Sequence, residues 1–320
     1  MNFKLFAFSL LLGVSAMPAF SQVRTQEFGF QSDNDSFLAQ GSDRYYTNGL
    51  FLFYRRGMEI KNFNKIANKV LGIEIGQKIF NPISGSVPDR SYVDRPFAGY
   101  LYAGANLNLL YRDESNFKIG VQVGVIGPGA KGEAAQNVIH NTFGFYELNG
   151  WQHQIRNTPV ANLSLEYNRL LARAKWIDLT AAGYANGGTA FNSLGVGPMV
   201  RLGNFNQLFN SYSTQSTATR NAIAPLHKRE LFVYYKPMFN YIANDATVQG
   251  SLISSKDDVT NMEITSDPKP LMLSHQVGVG FAGKRWILGF EAVFHSKDVK
   301  TQIYNTHQWG SITATYRFGK

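Results

Sequence analysis

The chain has 320 residues, 31 basic against 22 acidic side chains for a formal net charge of +9, and no cysteine. The missing cysteines exclude a disulfide scaffold, a thiol nucleophile, a Cys-ligated zinc site and a lipid-modified N-terminal Cys. Helical membrane spans are excluded too, because the 44% hydrophobic content is dispersed among Gly, Asn, Tyr and Phe with no long apolar run.

Residues 1–21 read as a secretory signal peptide. Lys4 is followed by an apolar run from Leu5 to Val14 and by small residues ending in Ala19-Phe20-Ser21. Cleavage near Ser21 leaves residues 22–320 with 30 basic against 22 acidic residues, a net +8. Export separates this chain from nucleic acid, so its basic balance suits phosphorylated lipid headgroups instead.

Beyond the signal, period-two alternation dominates. Strands are predicted over 25–33, 46–56, 69–80, 98–112, 116–126, 160–170, 174–186, 193–203, 230–242, 271–283, 285–296 and 308–318. They number about twelve, and single-chain bacterial barrels require an even number. In the fifth, Phe117, Ile119, Val121, Val123 and Val125 point one way while Lys118, Gly120, Gln122 and Gly124 point the other. One face suits lipid and the other a polar lumen. In the eleventh, Trp286, Leu288, Phe290, Ala292 and Phe294 form the lipid row, leaving Glu291 inside. The last places Ile312, Ala314, Tyr316 and Phe318 on one face, as in the C-terminal strand of outer-membrane barrels, although Gly319 and Lys320 follow the Phe. Tyr45-Tyr46, Phe80, Phe97 and Trp309 fall near strand ends, where interfacial girdles would use them. The chain therefore reads as an all-β protein, a transmembrane antiparallel barrel of the bacterial outer membrane with periplasmic termini.

With periplasmic termini, parity assigns loops 34–45, 81–97, 127–159, 187–192, 243–270 and 297–307 to the outside. This is where long loops belong. The exception is 204–229, a long polar stretch on the periplasmic side, which alternation leaves unexplained and which a missed strand pair would accommodate. The first outer loop opens with SDNDSF and closes with DRYYTNG. It fails the EF-hand pattern, since Leu38 stands at the Gly position and Arg44 at the acidic ligand. Asx turns at a strand end are the ordinary use of such a cluster. The third outer loop contains KGEAAQNVIHNTFGF, whose middle favours a helix with Gln136 and His140 one turn apart on one face. His140 there is either a general base or a satisfied surface histidine. The other five histidines lack metal-type spacing, and no G-x-S-x-G elbow occurs.

Taken in order, NDSF (34–37), DRYYTNG (43–49), GQKIFNP (76–82), Gln136 with His140, GWQHQIRNTP (150–159) and WGSITATYRF (309–318) resemble the outer-membrane lipid A 3'-O-deacylases. That resemblance implies an ester hydrolase that removes the 3'-linked acyloxyacyl group of lipid A with a divalent cation, calcium by preference. Lipid A or lipopolysaccharide of the outer leaflet would be its partner, with no obligate protein partner. Carried over residue by residue, the family's functional positions are Asn34, Asp35, Thr47, Lys78, Gln136 and His140. Asn34 and Asp35 would lie at the cation, His140 would be the base, Gln136 would hold the imidazole or the water, and Thr47 and Lys78 would add donors. Two alternatives remain on the same barrel. One is a phospholipase with a Ser nucleophile beside the His; the other is a porin or adhesin without catalysis.

Overall fold

The computed structural model describes residues 24–39, 43–60, 65–252 and 262–319; the predicted signal peptide lies outside them. Twelve strands form one closed antiparallel barrel: β1 (Gln26–Asn34), β2 (Tyr45–Gly57), β3 (Ile66–Asn81), β4 (Ala98–Tyr111), β5 (Ser115–Ile126), β6 (Thr158–Arg173), β7 (Ile177–Gly188), β8 (Phe191–Asn204), β9 (Glu230–Asp245), β10 (Leu271–Ala282), β11 (Trp286–Ser296) and β12 (Thr306–Phe318). Each pairs with its sequence neighbour, and β1 closes the ring on β12 with Gln26 opposite Phe318. The predicted set holds, with its ends adjusted. β7 moves two to three residues along the chain, and β3 and β6 are longer than alternation suggested.

The alternation becomes two surfaces. Phe28, Phe30, Leu50, Leu52, Ile73, Ile75, Val121 and Val123 are exposed on the outer wall. Inside, charges pair across strands: Arg55 with Glu27 at 3.0 Å and Lys118 with Glu166 at 2.9 Å. Glu291 also faces the lumen, accepting from the Tyr234 hydroxyl. The aromatic residues assigned above to an interfacial girdle behave differently. Tyr46 packs against Phe80 and Trp309, with ring centroids 5.2 and 4.9 Å away, and Tyr45 and Phe97 are fully buried. Near the rim these side chains fill the barrel end or sit beneath loops, so a strand-end position alone did not reveal which way they pointed.

The unexplained segment after β8 contains no strand. It folds as two short 3-10 turns, Leu208–Asn210 and Tyr212–Thr214, and enters the barrel as a plug. Asn68 donates to the carbonyls of Phe209, Ser216 and Ala218, and Asn108 to that of Thr214. Arg201, fully buried, bonds Asp178, Ser211, Ser213 and the Asn206 carbonyl. Glu230 accepts from Ser211 Oγ and from the backbone N–H groups of Asn206 and Tyr212. Tyr212 lies so close to Gly280 and Gly289 that a Cβ at either would strike its ring or hydroxyl. A long polar loop thus satisfies its backbone groups inside the lumen, as irregular structure at membrane depth must.

Candidate functional site

The site forms on the outer wall at the rim that carries the long loops. At the end of β1, Asn34 caps the 3-10 turn Asp35–Leu38, its Oδ1 accepting from the Ser36 N–H at 2.7 Å and from the Ser36 hydroxyl. This is the Asx turn that the sequence suggested. The turn lies over β12, where a Cβ at Gly310 would meet Phe37. Asp35 is buried. Across the β1–β2 pair Asn34 stands opposite Asn48 and donates to its Oδ1 at 2.5 Å.

β2 carries a bulge here. Its register against β3 shifts between Tyr46 and Asn48, leaving Thr47 as the extra residue. A bulge re-aims side chains. Tyr46 consequently turns into the lumen, donating to Asp33 Oδ2 at 2.7 Å, while Asn48 keeps the outward parity of Leu50 and Leu52. Thr47, fully buried, accepts from Asn48 Nδ2 and donates to Asp43 Oδ1, both at 3.2 Å.

The second half of the site arrives on α1 (Gly132–Phe143), which packs outside the wall against β3 and β4. Contact is close because two glycines meet: a Cβ on Gly99 would lie 2.9 Å from the Gly132 nitrogen. Glu133, Ala134, Ala135 and Gln136 favour helix, and Gly144 ends it in the left-handed conformation at φ 70°. The buried face of α1 consists of Gly132, Gln136 and His140, at the one-turn spacing read from sequence. Gln136 Oε1 accepts from Trp151 Nε1 at 3.1 Å, while its buried Nε2 has no hydrogen-bond partner among the described residues.

His140 joins the two halves. Its Nδ1 lies 2.7 Å from the Tyr146 carbonyl oxygen and its Nε2 3.1 Å from Asp43 Oδ2. Asp43 Oδ2 also accepts from the Tyr146 hydroxyl at 2.7 Å. Burial and the adjacent Asp43 carboxylate push the Tyr146 phenol far above its ordinary range, which keeps it a donor. The Tyr146 and Phe145 rings stand edge-on to the imidazole. A continuous chain therefore runs from Asn34 through Asn48, Thr47 and Asp43 to His140.

The structure brings Asn34, Thr47 and His140 into this one network, with Gln136 a turn away and Asp35 beside Asn34. Lys78 stands at the same rim on the other side of the wall. In β3 the outward residues are Leu71, Ile73 and Ile75, so Lys78 faces the lumen; its Nζ lies 6.0 and 5.8 Å from the Tyr46 and Phe51 rings. It lines an interior cavity of about 340 Å³ with Tyr100, Gln122 and Asn162. The acidic residues around the first loop likewise separate. Asp33 turns into the lumen to Tyr46 and Ser311, Asp35 stays at the outer turn, and Asp43 goes to His140. No three His, Asp or Glu residues converge as a metal cluster among the described residues. Sequence reasoning missed Asp43 and Tyr146 as partners of His140. Asp43 lies in the quoted DRYYTNG motif, and its left-handed φ of 44° is the kind of strain that gathers at functional sites.

The family model for outer membrane protein LpxR matches residues 5–318. Among solved structures, LpxR from Salmonella typhimurium superposes with a TM-score of 0.73 at 22% identity, covering 91% of this chain and 100% of that one, a likeness of fold. The β domain of the Bordetella autotransporter Brka has a TM-score of 0.48 at 9% identity, with 93% and 99% covered. The translocator domain of autotransporter NalP from Neisseria meningitidis has 0.41 at 12%, with 93% and 90% covered. A search of curated protein sequences gave no match. With nearly its whole length matched by the family model and its strands closed into the same barrel, this chain belongs to the outer membrane protein LpxR family.

Proposed function

We propose that this outer-membrane barrel is a lipid A deacylase that hydrolyses the ester of the 3'-linked acyloxyacyl group, with His140 as general base. The observation that carries the reading is where His140 stands: on the outer face of the wall, at the outward rim, in a network of fixed polar groups. The outer leaflet, where lipid A resides, meets the barrel on that face. A porin would need an open lumen, whereas here a plug occupies the interior. In a phospholipase of the rival type a Ser would serve as nucleophile beside His140. The hydroxyls coupled to this His through Asp43 are instead those of Thr47 and Tyr146, both already donating to the carboxylate.

In the proposed reaction Nδ1–H of His140 donates to the Tyr146 carbonyl, which leaves the Nε2 lone pair to take a proton from water. The hydroxyl adds to the ester carbonyl, the sugar oxygen leaves, and the proton returns from Nε2 to it. The products are a free sugar hydroxyl and a carboxylic acid. Gln136 Nε2, buried and unpartnered among the described residues, supplies a donor for the oxygen that gains charge. Lys78, facing inward, is assigned to the lumen rather than to the reacting ester.

Asn34 and Asp35 are the side chains that would hold calcium. An amide oxygen and a carboxylate are hard donors of the right class, two of the roughly six to eight oxygens calcium takes, with carbonyls, water and substrate completing the set. The ion, when bound, would polarise the ester carbonyl and take up oxyanion charge.

The test is to incubate the purified barrel in detergent with lipid A and follow the lipid by mass spectrometry, with calcium or with chelator. Loss of one acyloxyacyl group, in calcium alone, is the expected result. Intact lipid A in both, or cleavage of glycerophospholipid instead, would overturn the reading.

A further inference from the structure

We infer that Asp43 is the positioning residue of His140, the fixed negative charge that receives the imidazolium when the proton arrives. This deepens the deacylase reading and rests on it.

Asp43 Oδ2 lies 3.1 Å from Nε2, the nitrogen left without a proton once Nδ1 is committed to the Tyr146 carbonyl. Neutral His140 thus presents a lone pair to a carboxylate. At 3.1 Å the two atoms leave no room for a water between them, so the attacking water donates to Nε2 from beside the pair. When the water gives its proton to Nε2, the new N–H lies at hydrogen-bonding distance from Oδ2 without rearrangement. The carboxylate therefore interacts much more strongly with the charged ring than with the neutral one, which is the differential that lowers a barrier. When the sugar oxygen leaves, the same proton returns to it and the pair is restored.

Three features hold Asp43 in place. The Tyr146 hydroxyl donates to Oδ2 and the Thr47 hydroxyl to Oδ1, so the carboxylate cannot rotate away. Its backbone is left-handed at φ 44°, and Tyr45 follows at φ 63°, which turns the chain sharply into β2. Asn81 Nδ2 donates to its backbone carbonyl at 3.1 Å, tying the turn to the end of β3. Tyr146 serves twice, its carbonyl on Nδ1 and its hydroxyl on Asp43, so a single residue sets both edges of the ring.

The experiment compares purified wild type, Asp43→Asn, Asp43→Ala, His140→Ala and the double variant Asp43→Asn/His140→Ala on lipid A in detergent. Heat-modifiable gel mobility confirms the barrel in each. Asn is well tolerated at positive φ; its Oδ1 can accept from one of the two hydroxyls while its Nδ2 donates to the other, so it preserves the turn while removing the charge. Asp43→Asn should lower kcat about 10²- to 10³-fold with KM within about twofold. On the His140→Ala background it should change nothing further, because Asp43 acts through the imidazole. Wild-type kcat in Asp43→Asn with loss only in Asp43→Ala would assign the residue a merely structural role and overturn the inference. So would a raised calcium requirement in Asp43→Asn with full kcat at saturating calcium, which would make it a cation ligand. A wild type inert on lipid A would instead sink the deacylase reading itself, and the two failures are distinguishable.

Discussion

Replacing Gly99 with Ala tests whether catalysis depends on how tightly α1 seats on the wall. Gly99 lies in β4 and faces outward, and a Cβ there would come 2.9 Å from the Gly132 nitrogen, 3.0 Å from its Cα and 3.2 Å from the Ala130 Cβ. Two of these are backbone atoms of the helix start, which cannot swing aside as a flexible side chain would. Carbon–carbon contacts relax to about 3.5 to 4.0 Å, so α1 must retreat by roughly 0.5 to 1 Å. His140 and Gln136 ride on the same face of that helix, while Asp43, Thr47 and Asn34 stay with β1 and β2. A misplacement of about 1 Å between reacting groups costs on the order of 10²-fold in rate. Gly99→Ala should therefore lower the deacylation rate ten- to a hundredfold as an order of magnitude. The strand ladder is untouched, so heat-modifiable mobility should be normal. Gly183→Ala is the control, since its Cβ would meet only the Gly195 carbonyl at 3.5 Å, an ordinary contact. The assay is acyl release from lipid A by each barrel in detergent. Activity of Gly99→Ala within twofold of wild type would refute the idea that this glycine contact sets the position of His140.

Other consequences follow from the same geometry. His140→Ala should lose about two to four orders of magnitude in deacylation while remaining a folded barrel. His153→Ala should stay near wild type, since that ring holds the Met262 carbonyl at 2.9 Å and not the α1 network. Equal losses in the two would contradict the assignment of the base. Activity should vanish in chelator and return with calcium; full activity in chelator would leave Asn34 and Asp35 as turn residues only. Arg201→Met leaves the fully buried Asp178 carboxylate with Arg173 alone and takes the guanidinium donor from Ser211 and Ser213 of the plug. It should cost about 1 to 3 kcal/mol, read as a lower temperature for the heat-modifiable shift, and an unchanged temperature would show that this pair does not hold the plug.

Much of the barrel was legible because each strand repeats one simple contrast. Val121 and Val123 against Lys118 and Gln122 is a local pattern, and a one-residue slip would place the charges in lipid. The inward direction of Lys78 and Asp33 was equally legible. Both share the parity of lumen residues in strands whose outward rows are Leu71, Ile73 and Ile75 or Phe28 and Phe30. For Lys78 the resemblance drew attention to its identity and away from that parity. The bulge at Thr47 was not legible, since it depends on how β2 meets β3. Nor was the plug, whose order comes from Asn68, Asn108 and Arg201 on distant strands rather than from any periodicity of its own. Asp43 and His140 are joined only by the wall and the helix that closes over it. A carboxylate in a turn-rich loop and a histidine on a predicted helix carry no sequence signal of their contact.

The measurement that bears most directly on the proposed activity is tandem mass spectrometry of lipid A from cells producing wild type, His140→Ala or no barrel. Wild-type cells should yield lipid A lacking the acyloxyacyl group, with fragments that assign the loss to the 3' position, while the other two yield the intact form. Identical intact lipid A from all three, with the wild-type barrel inserted in the outer membrane, would contradict the account.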